Sequence, residues 1–220
     1  RRYLGDKPSL VYSRDPFTLF MLRNTSPRLI WEAHTFPRNA TSFFYKRVLG
    51  RINGLVVIGN GLRKAFAGHF KGPIVVAPDG VNINDFALDI SKQQTRERLG
   101  LPEDRVIALY SGHLYPWKGA DTLLQAARLL PRDTLVVFVG GTPSDIAGYR
   151  AKANGMGNVL FAGHQPHDRI PLYLKAADVL VLPNSAKEDI SRLYTSPLKM
   201  FEYMASGTPI VASDLPSIRE

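Results

Sequence analysis

Tyr194-Thr-Ser-Pro-Leu-Lys-Met-Phe-Glu-Tyr-Met-Ala-Ser-Gly207, followed by Thr208-Pro-Ile-Val-Ala-Ser213, reads as a helix with both ends written in and a strand behind it. Ser196 suits the N-cap, Pro197 the first helical position, and Gly207 the left-handed position past the end. Leu198, Phe201 and Met204 recur at three-residue spacing and Ala205 widens the stripe, so this face is expected to pack on a sheet. Lys199 and Glu202 fall on the other face. Thr208–Ser213 holds a short β-branched run, the pattern of a buried strand. The helix start offers free backbone N–H groups, a positive dipole end and a lysine in the first turn, which together suit an anion. Glu202, further along, accepts hydrogen bonds only. A phosphate at the helix start with a diol near Glu202 is one reading. A buried amphipathic helix with a surface Lys and Glu is the other.

Working outward, short apolar runs alternate with helical patterns. Strands are expected at Leu10–Tyr12, Arg28–Ala33, Leu55–Ile58, Ile74–Ala77, Val106–Tyr110, Leu135–Val139, Val159–Phe161 and Val179–Leu182. Helices are expected over 40–50, after Ile58 to about Phe70, and over 91–99, 119–130, 143–153 and 168–176. Strands apolar on both faces, each followed by a helix, predict an α/β fold with mostly parallel sheets. Pro78-Asp-Gly-Val-Asn-Ile-Asn84 is rich in turn formers and marks the expected domain boundary.

The chain has 220 residues, 45% of them hydrophobic, enough for a substantial core. Its 28 Lys and Arg against 19 Asp and Glu give a net charge of +9, which favours anionic partners: phosphates, nucleic acid or an acidic membrane surface. The basic residues are dispersed, so nucleic acid is not the expected partner. With no cysteine, a disulfide scaffold and Cys-based zinc or redox sites are excluded. No apolar stretch is long enough to span a membrane. The sequence given starts at Arg1 with no signal peptide visible in it, and Glu220 follows Pro216-Ser-Ile-Arg with no closing signal visible. The expectation is an interior piece of a longer protein.

In open α/β sheets, ligands bind beyond the carboxyl ends of the strands. The unusual residues fall there repeatedly: His34, Asn60-Gly61, Asp79-Gly80, Gly112-His113, Gly140-Gly141, Gly163-His164 and Pro183-Asn184. Glycine lets backbone approach a ligand, although strand-to-helix turns also use it for their own geometry. Gly112-His-Leu-Tyr-Pro-Trp-Lys-Gly119 leaves one strand and enters a helix. Its Lys118 suits a point charge over a phosphate, or an ordinary helix-start lysine. Tyr115 and Trp117 cover apolar surface or stack on a ring. No G-x-x-x-x-G-K-[ST], G-x-S-x-G or G-x-G-x-x-G motif is present, against a P-loop NTPase, an α/β-hydrolase and a dinucleotide-binding dehydrogenase. His34, His69, His113, His164 and His167 do not pair at metal-ligand spacing on one helix, so no metal site is expected.

In this order the motifs resemble the retaining glycosyltransferases of family 4, of GT-B fold. The resemblance runs from about Arg28 to the end. It is carried by Glu32-Ala-His34, Pro78-Asp-Gly-Val81 with Phe86, Gly112–Gly119, Ala177-Asp-Val-Leu-Val-Leu-Pro183 and Ser196–Pro209. It implies two Rossmann-like domains, each incomplete here. Residues 1–77 would be the later part of an acceptor-side domain, and 78–220 a truncated nucleotide-sugar domain. It further implies that Lys118 holds the diphosphate, that Ser196, Pro197 and Leu198 bring a helix start to it, and that Glu202 binds the ribose hydroxyls. Gly112, His113, Gly140 and Gly141 would line the nucleotide, and His34 would lie at the acceptor side of the reaction centre. Without the resemblance, His34 reads as the cap of the helix near Ala40 or as a turn filler. Two positions depart from the family: His113 stands where an arginine is usual, and Tyr194 where a glutamate is frequent. The nearest acids to the latter are Glu188 and Asp189.

The implied activity is transfer of a sugar from a nucleoside-diphosphate sugar to an acceptor hydroxyl with retention, in polysaccharide, glycolipid or other glycoconjugate synthesis. His34, Lys118 and Glu202 would be its catalytic residues. No cofactor or metal is expected. Expected partners are the nucleotide sugar and a sugar or lipid-linked acceptor, in the cytoplasm, with peripheral contact at an anionic membrane face. Competing readings are a sugar-nucleotide epimerase, a phosphorylase, and a non-enzymatic binding piece, either one that holds a nucleotide without turnover or a basic docking module. A phosphorylase would need a pyridoxal-phosphate lysine, for which no motif is visible.

Overall fold

The computed structural model describes residues 10–24 and 28–220. The chain forms two compact units. Residues 1–79, 189–196 and 215–220 make the first, and 80–188 and 197–214 the second. Thus 189–196 and 215–220 cluster with the first unit, although their place in the sequence suggests the second. Residues 1–9 of the expected first domain lie outside the described residues.

In the first unit, β1 (Val11–Ser13), α1 (Pro16–Leu22), β2 (Leu29–Ala33), α2 (Phe43–Leu49), β3 (Gly54–Val57), α3 (Asn60–Ala67) and β4 (Ile74–Val76) alternate along the chain. The four strands pair in parallel in the order β1-β2-β3-β4. Trp31, Leu55, Val57, Leu62 and Phe66 form the core, with the Trp31 ring edge-on to Phe66 at 5.4 Å and stacked on Tyr45 at 6.1 Å. Helix α1 was not expected from apolar periodicity. It is written instead in its cap: the Asp15 carboxylate accepts from the N–H groups of Phe17 and Thr18 at 3.1 and 2.8 Å, and Pro16 fills the first turn. A π-helical turn, Ile190–Tyr194, packs on α3. A side chain at Gly61 would strike the Leu193 carbonyl, so glycine is required there by close approach.

The second unit holds a 3₁₀ turn (Ile83–Phe86), α4 (Lys92–Leu99), β5 (Val106–Ser111), α5 (Ala120–Ala127), β6 (Thr134–Val139), α6 (Pro143–Lys152), β7 (Val159–Gly163), α7 (Ile170–Ala176), β8 (Val179–Leu182), α8 (Leu198–Ser206) and β9 (Ile210–Ala212). Its strands are parallel in the order β7-β6-β5-β8-β9. Every residue of β6 is buried, as a central parallel strand requires. Helices α4 and α6 start with capping boxes, Ser91 with Gln94 and Thr142 with Asp145. At the amino end of the sheet Arg96 is buried. Its Nη2 donates to Asp178 at 2.6 Å, and its other N–H groups donate to the carbonyls of Ala176, Glu103 and Arg105. The chain runs from β5 outward to β7, then returns to the other side of β5 for β8 and β9. The sheet therefore changes direction between β5 and β8, the place where α/β sheets open a crevice for ligands.

Two expectations for α8 are corrected. Ser196 does not cap it: the helix begins at Leu198 with Pro197 in the cap position, and the Ser196 hydroxyl accepts from the Asp79 N–H at 3.1 Å. The packed face is also the reverse of the expected one. Leu198 and Met204 are exposed at 45% and 60%, whereas Lys199, Glu202 and Tyr203 are buried. Tyr203 decides the orientation. Its hydroxyl, wholly buried, accepts from the Ser111 backbone N–H at 2.8 Å and the Ser111 hydroxyl at 3.2 Å, at the carboxyl end of β5.

Candidate functional site

The two connections that leave the strands flanking the switch point carry most of the expected site. From β5 the chain passes through Gly112 to the short 3₁₀ turn Pro116–Lys118 and then α5. From β8 it passes through Pro183 and Asn184 and eventually into α8. Gly119, at φ +77°, packs against the Pro183 carbonyl where no side chain fits, which joins the two connections. The neighbouring connection after β6 joins them as well. Gly112, Gly140 and Gly141 have φ of +127°, +113° and +84°, and a side chain at Gly140 would strike the Gly112 carbonyl. These glycines therefore do come together, and each is needed for its own backbone geometry.

Lys118 is half-buried, with its Nζ 5.1 Å from the Trp117 ring centre and 5.5 Å from that of Tyr115. Burial lowers its pKa, and no carboxylate pairs with it among the described residues. It is a cation held by aromatic faces and left available for an anion. The Tyr115 ring lies between His113 and Trp117, stacked at 5.1 and 6.4 Å, so it covers its own turn. His113 is exposed on that turn.

Helix α8 presents its first backbone N–H groups without a side-chain cap, beginning at Leu198. Glu202 lies one turn further on, buried. Burial raises its pKa, with the charges of His167 and Lys199 acting in the opposite direction. Lys199 was expected on an outer face and is instead in the wall of the site. Its Nζ donates to the Tyr110 hydroxyl at 2.9 Å and sits 4.0 Å from the centre of that ring. The signal was present in the spacing, since Lys199, Glu202, Tyr203 and Ser206 also share one face of a 3.6-residue helix. Two charges among them made the apolar stripe look like the better packing face. The contribution of His167 to Glu202 was likewise not expected.

In the first unit His34 closes β2. Its Nε2 lies 2.6 Å from Glu32 Oε1, the same oxygen that Arg14 Nε reaches at 2.8 Å. The hydrogen bond from His34 is the largest influence lowering the Glu32 pKa. The capping role for His34 is ruled out: α2 is capped by Ser42, whose hydroxyl accepts from the Tyr45 N–H at 3.5 Å. Among the described residues no three His, Asp or Glu side chains gather into a metal-binding cluster, and no helix is long and apolar enough to cross a membrane.

The fold has close counterparts among solved structures. The chain superposes on Anabaena HepE in complex with UDP with a TM-score of 0.79 at 18% identity, over 96% of this chain and 61% of that one. For sucrose-phosphate synthase from Thermosynechococcus elongatus the TM-score is 0.74 at 22% identity, over 94% and 56%. The fold is thus of GT-B type. In sequence, the chain is 34% identical over 159 residues to the D-inositol 3-phosphate glycosyltransferase of Xylanimonas cellulosilytica, 66% of this chain and 36% of that protein. It is 26% identical over 187 residues to the teichuronic acid biosynthesis glycosyltransferase TuaC of Bacillus subtilis, named as putative, 84% of this chain and 45% of that protein. The chain therefore spans less than half the length of these relatives. Residues 91–220, from α4 through the Lys118 turn and α8 to the last residue, match the family described as Glycosyl transferases group 1, and the chain belongs to that family.

Proposed function

We propose that the protein moves a sugar from a nucleoside-diphosphate sugar to an acceptor hydroxyl with retention of configuration, in the synthesis of a glycoconjugate. The observation that carries this reading is the Lys118 cation, paired with no carboxylate among the described residues, on one connection from the switch point, with the start of α8, which has no side-chain cap, on the other. Departure of the diphosphate builds negative charge, which a fixed cation and a helix amino end stabilise. Glu202 accepts from the two ribose hydroxyls. Gly112, Gly140 and Gly141 let the backbone come close to the nucleotide, with His113 at the edge of that surface. Pro197 and Leu198 set the helix start, and Ser196 keeps the preceding turn in place through Asp79. These groups offset the diphosphate charge without a metal or other cofactor.

On the acceptor side we assign His34 to orient the attacking hydroxyl. Glu32 engages its Nε2, which leaves Nδ1 for the hydroxyl. UDP in the HepE complex supports a nucleotide-sugar donor. We assign a sugar or lipid-linked acceptor; the relatives are named for D-inositol 3-phosphate and for teichuronic acid biosynthesis. The net charge of +9 favours contact with an anionic membrane face, which we place on the cytoplasmic side. The test is release of nucleoside diphosphate from UDP-, GDP- and ADP-sugars, with and without added glycan and lipid-linked acceptors. Release that depends on an acceptor is the expected result. Nucleotide binding without release in any combination would instead mark a non-catalytic binding protein.

A further inference from the structure

The transfer described above leaves Lys199 unused, although it is 9% exposed in the wall of the same site. A lysine this deep is costly to keep charged, and a methionine of similar length would fill the space without that cost. Nζ donates to the Tyr110 hydroxyl at 2.9 Å, and that hydroxyl donates its own proton to the His113 carbonyl at 2.6 Å. Two further donors of an ammonium have no partner among the described residues. Nζ also lies 3.0 Å from where a side chain of residue 112 would begin, so it sits directly against the Gly112 turn, which only glycine's φ of +127° allows.

The charged and titratable groups facing it set its response. Tyr110 on β5 and Tyr203 on its own helix are neutral, their pKa values raised by burial. Lys118 and His113 come from the Gly112–Gly119 turn. Burial, then the charge of Lys118, hold the Lys199 pKa well below its ordinary value, while Glu202 on the same helix acts to raise it and His167 acts on Glu202. An anion carrying two phosphates at the Gly112 turn would reverse the local field felt by both lysines.

We propose that Lys199 is a second cation of the nucleotide diphosphate site and that it takes up a proton as the nucleotide binds. The proposal rests on the reading that Lys118 marks that site. The experiment is isothermal titration of the protein with UDP, GDP and ADP in Tris and in HEPES at about pH 8, where free lysine is charged and free histidine is not. The difference in heat between the buffers gives the protons exchanged. The wild type is expected to take up a proton on binding. Lys199→Met should lose that uptake and bind about tenfold or more weakly, the loss of a charged hydrogen bond. Lys199→Arg, always charged, should bind without uptake. Binding by the wild type without uptake, or uptake that persists in either variant, overturns the proposal; persistence would place the proton on His113, His167 or Glu202. The wild-type measurement and Lys199→Arg decide the matter if Lys199→Met does not fold. Failure of the parent reading is distinct: it appears as no binding of any nucleotide, or as unchanged binding by Lys118→Ala.

Discussion

Lys199 and Glu202, three residues apart on α8, share its buried face, while Leu198 and Met204 of the same helix are in solvent. Two charged side chains have displaced an apolar stripe from the interior. The displacement makes sense where the interior is the wall of a ligand site, because buried charged groups with perturbed pKa values gather at such sites.

Glu202 is expected to read the ribose. Glu202→Gln replaces one of two acceptor oxygens by a donor. It should weaken a ribonucleotide by about tenfold or more and its 2′-deoxy analogue much less. Titration of both against both proteins checks this, and an equal loss would make Glu202 a structural residue. The raised pKa of Glu202 sets the pH response: ribonucleotide affinity should fall on acidification at a pH above the ordinary carboxylate range.

The orientation of α8 is testable by stability. Met204→Ser should change unfolding free energy by no more than about 0.5 kcal/mol, as for exposed sites. Tyr203→Phe leaves the buried Ser111 N–H without its acceptor and should cost about 1–3 kcal/mol. Urea unfolding of the two variants measures both. A larger loss for Met204→Ser than for Tyr203→Phe would restore the apolar stripe as the packing face.

The parallel α/β order was legible because each strand is a short run apolar on both faces, as in Leu135–Val139, and each connection is punctuated by Gly, Pro or a cap residue. Helix α1 was not, since its Pro-Phe-Thr-Leu-Phe-Met-Leu run is apolar nearly all round and shows no period; only the Asp15-Pro16 cap marks it. The glycines at the switch point and Lys118 could be placed by their position after strands. The burial of Lys199 could not, because it depends on Tyr110 and Gly112, distant in sequence and joined only by the sheet. The Asp79 bond to Ser196 is of the same kind: it takes a residue 117 positions away to divert a good cap residue from its helix.

Asp178 should govern stability in acid. Burial acts to raise its pKa, but hydrogen bonds from Lys92, the Ile107 N–H and Arg96 prevail and hold it below the ordinary value. The folded-state pKa is depressed, so its stabilisation is present above the ordinary carboxylate range and is lost as pH falls through the folded value. Asp178→Asn leaves buried Arg96 without its carboxylate and should cost about 3 kcal/mol at neutral pH. Urea unfolding should show the gap between variant and wild type narrowing toward about pH 3. A gap that stays constant with pH would mean the carboxylate charge is not what matters.

His34→Ala is expected to lower kcat about 100-fold, at the low end for a positioned acid–base group, with little change in nucleotide affinity. Glu32→Gln should lower kcat less, because it alters only the partner that orients the imidazole. Steady-state kinetics beside nucleotide titration separates these effects. Near-normal turnover by His34→Ala, or joint loss of fold and nucleotide binding, would remove His34 from the reaction.

The most direct test of the account is calorimetric titration of UDP, GDP and ADP into the wild type and Lys118→Ala. At least one nucleoside diphosphate should bind the wild type. Lys118→Ala should then lose about 1.5–3 kcal/mol of that affinity, the value of a charged hydrogen bond, while keeping the same unfolding midpoint. Binding of none of the three, or equal affinity in both proteins, would contradict the assignment of the diphosphate to the Lys118 turn and the start of α8.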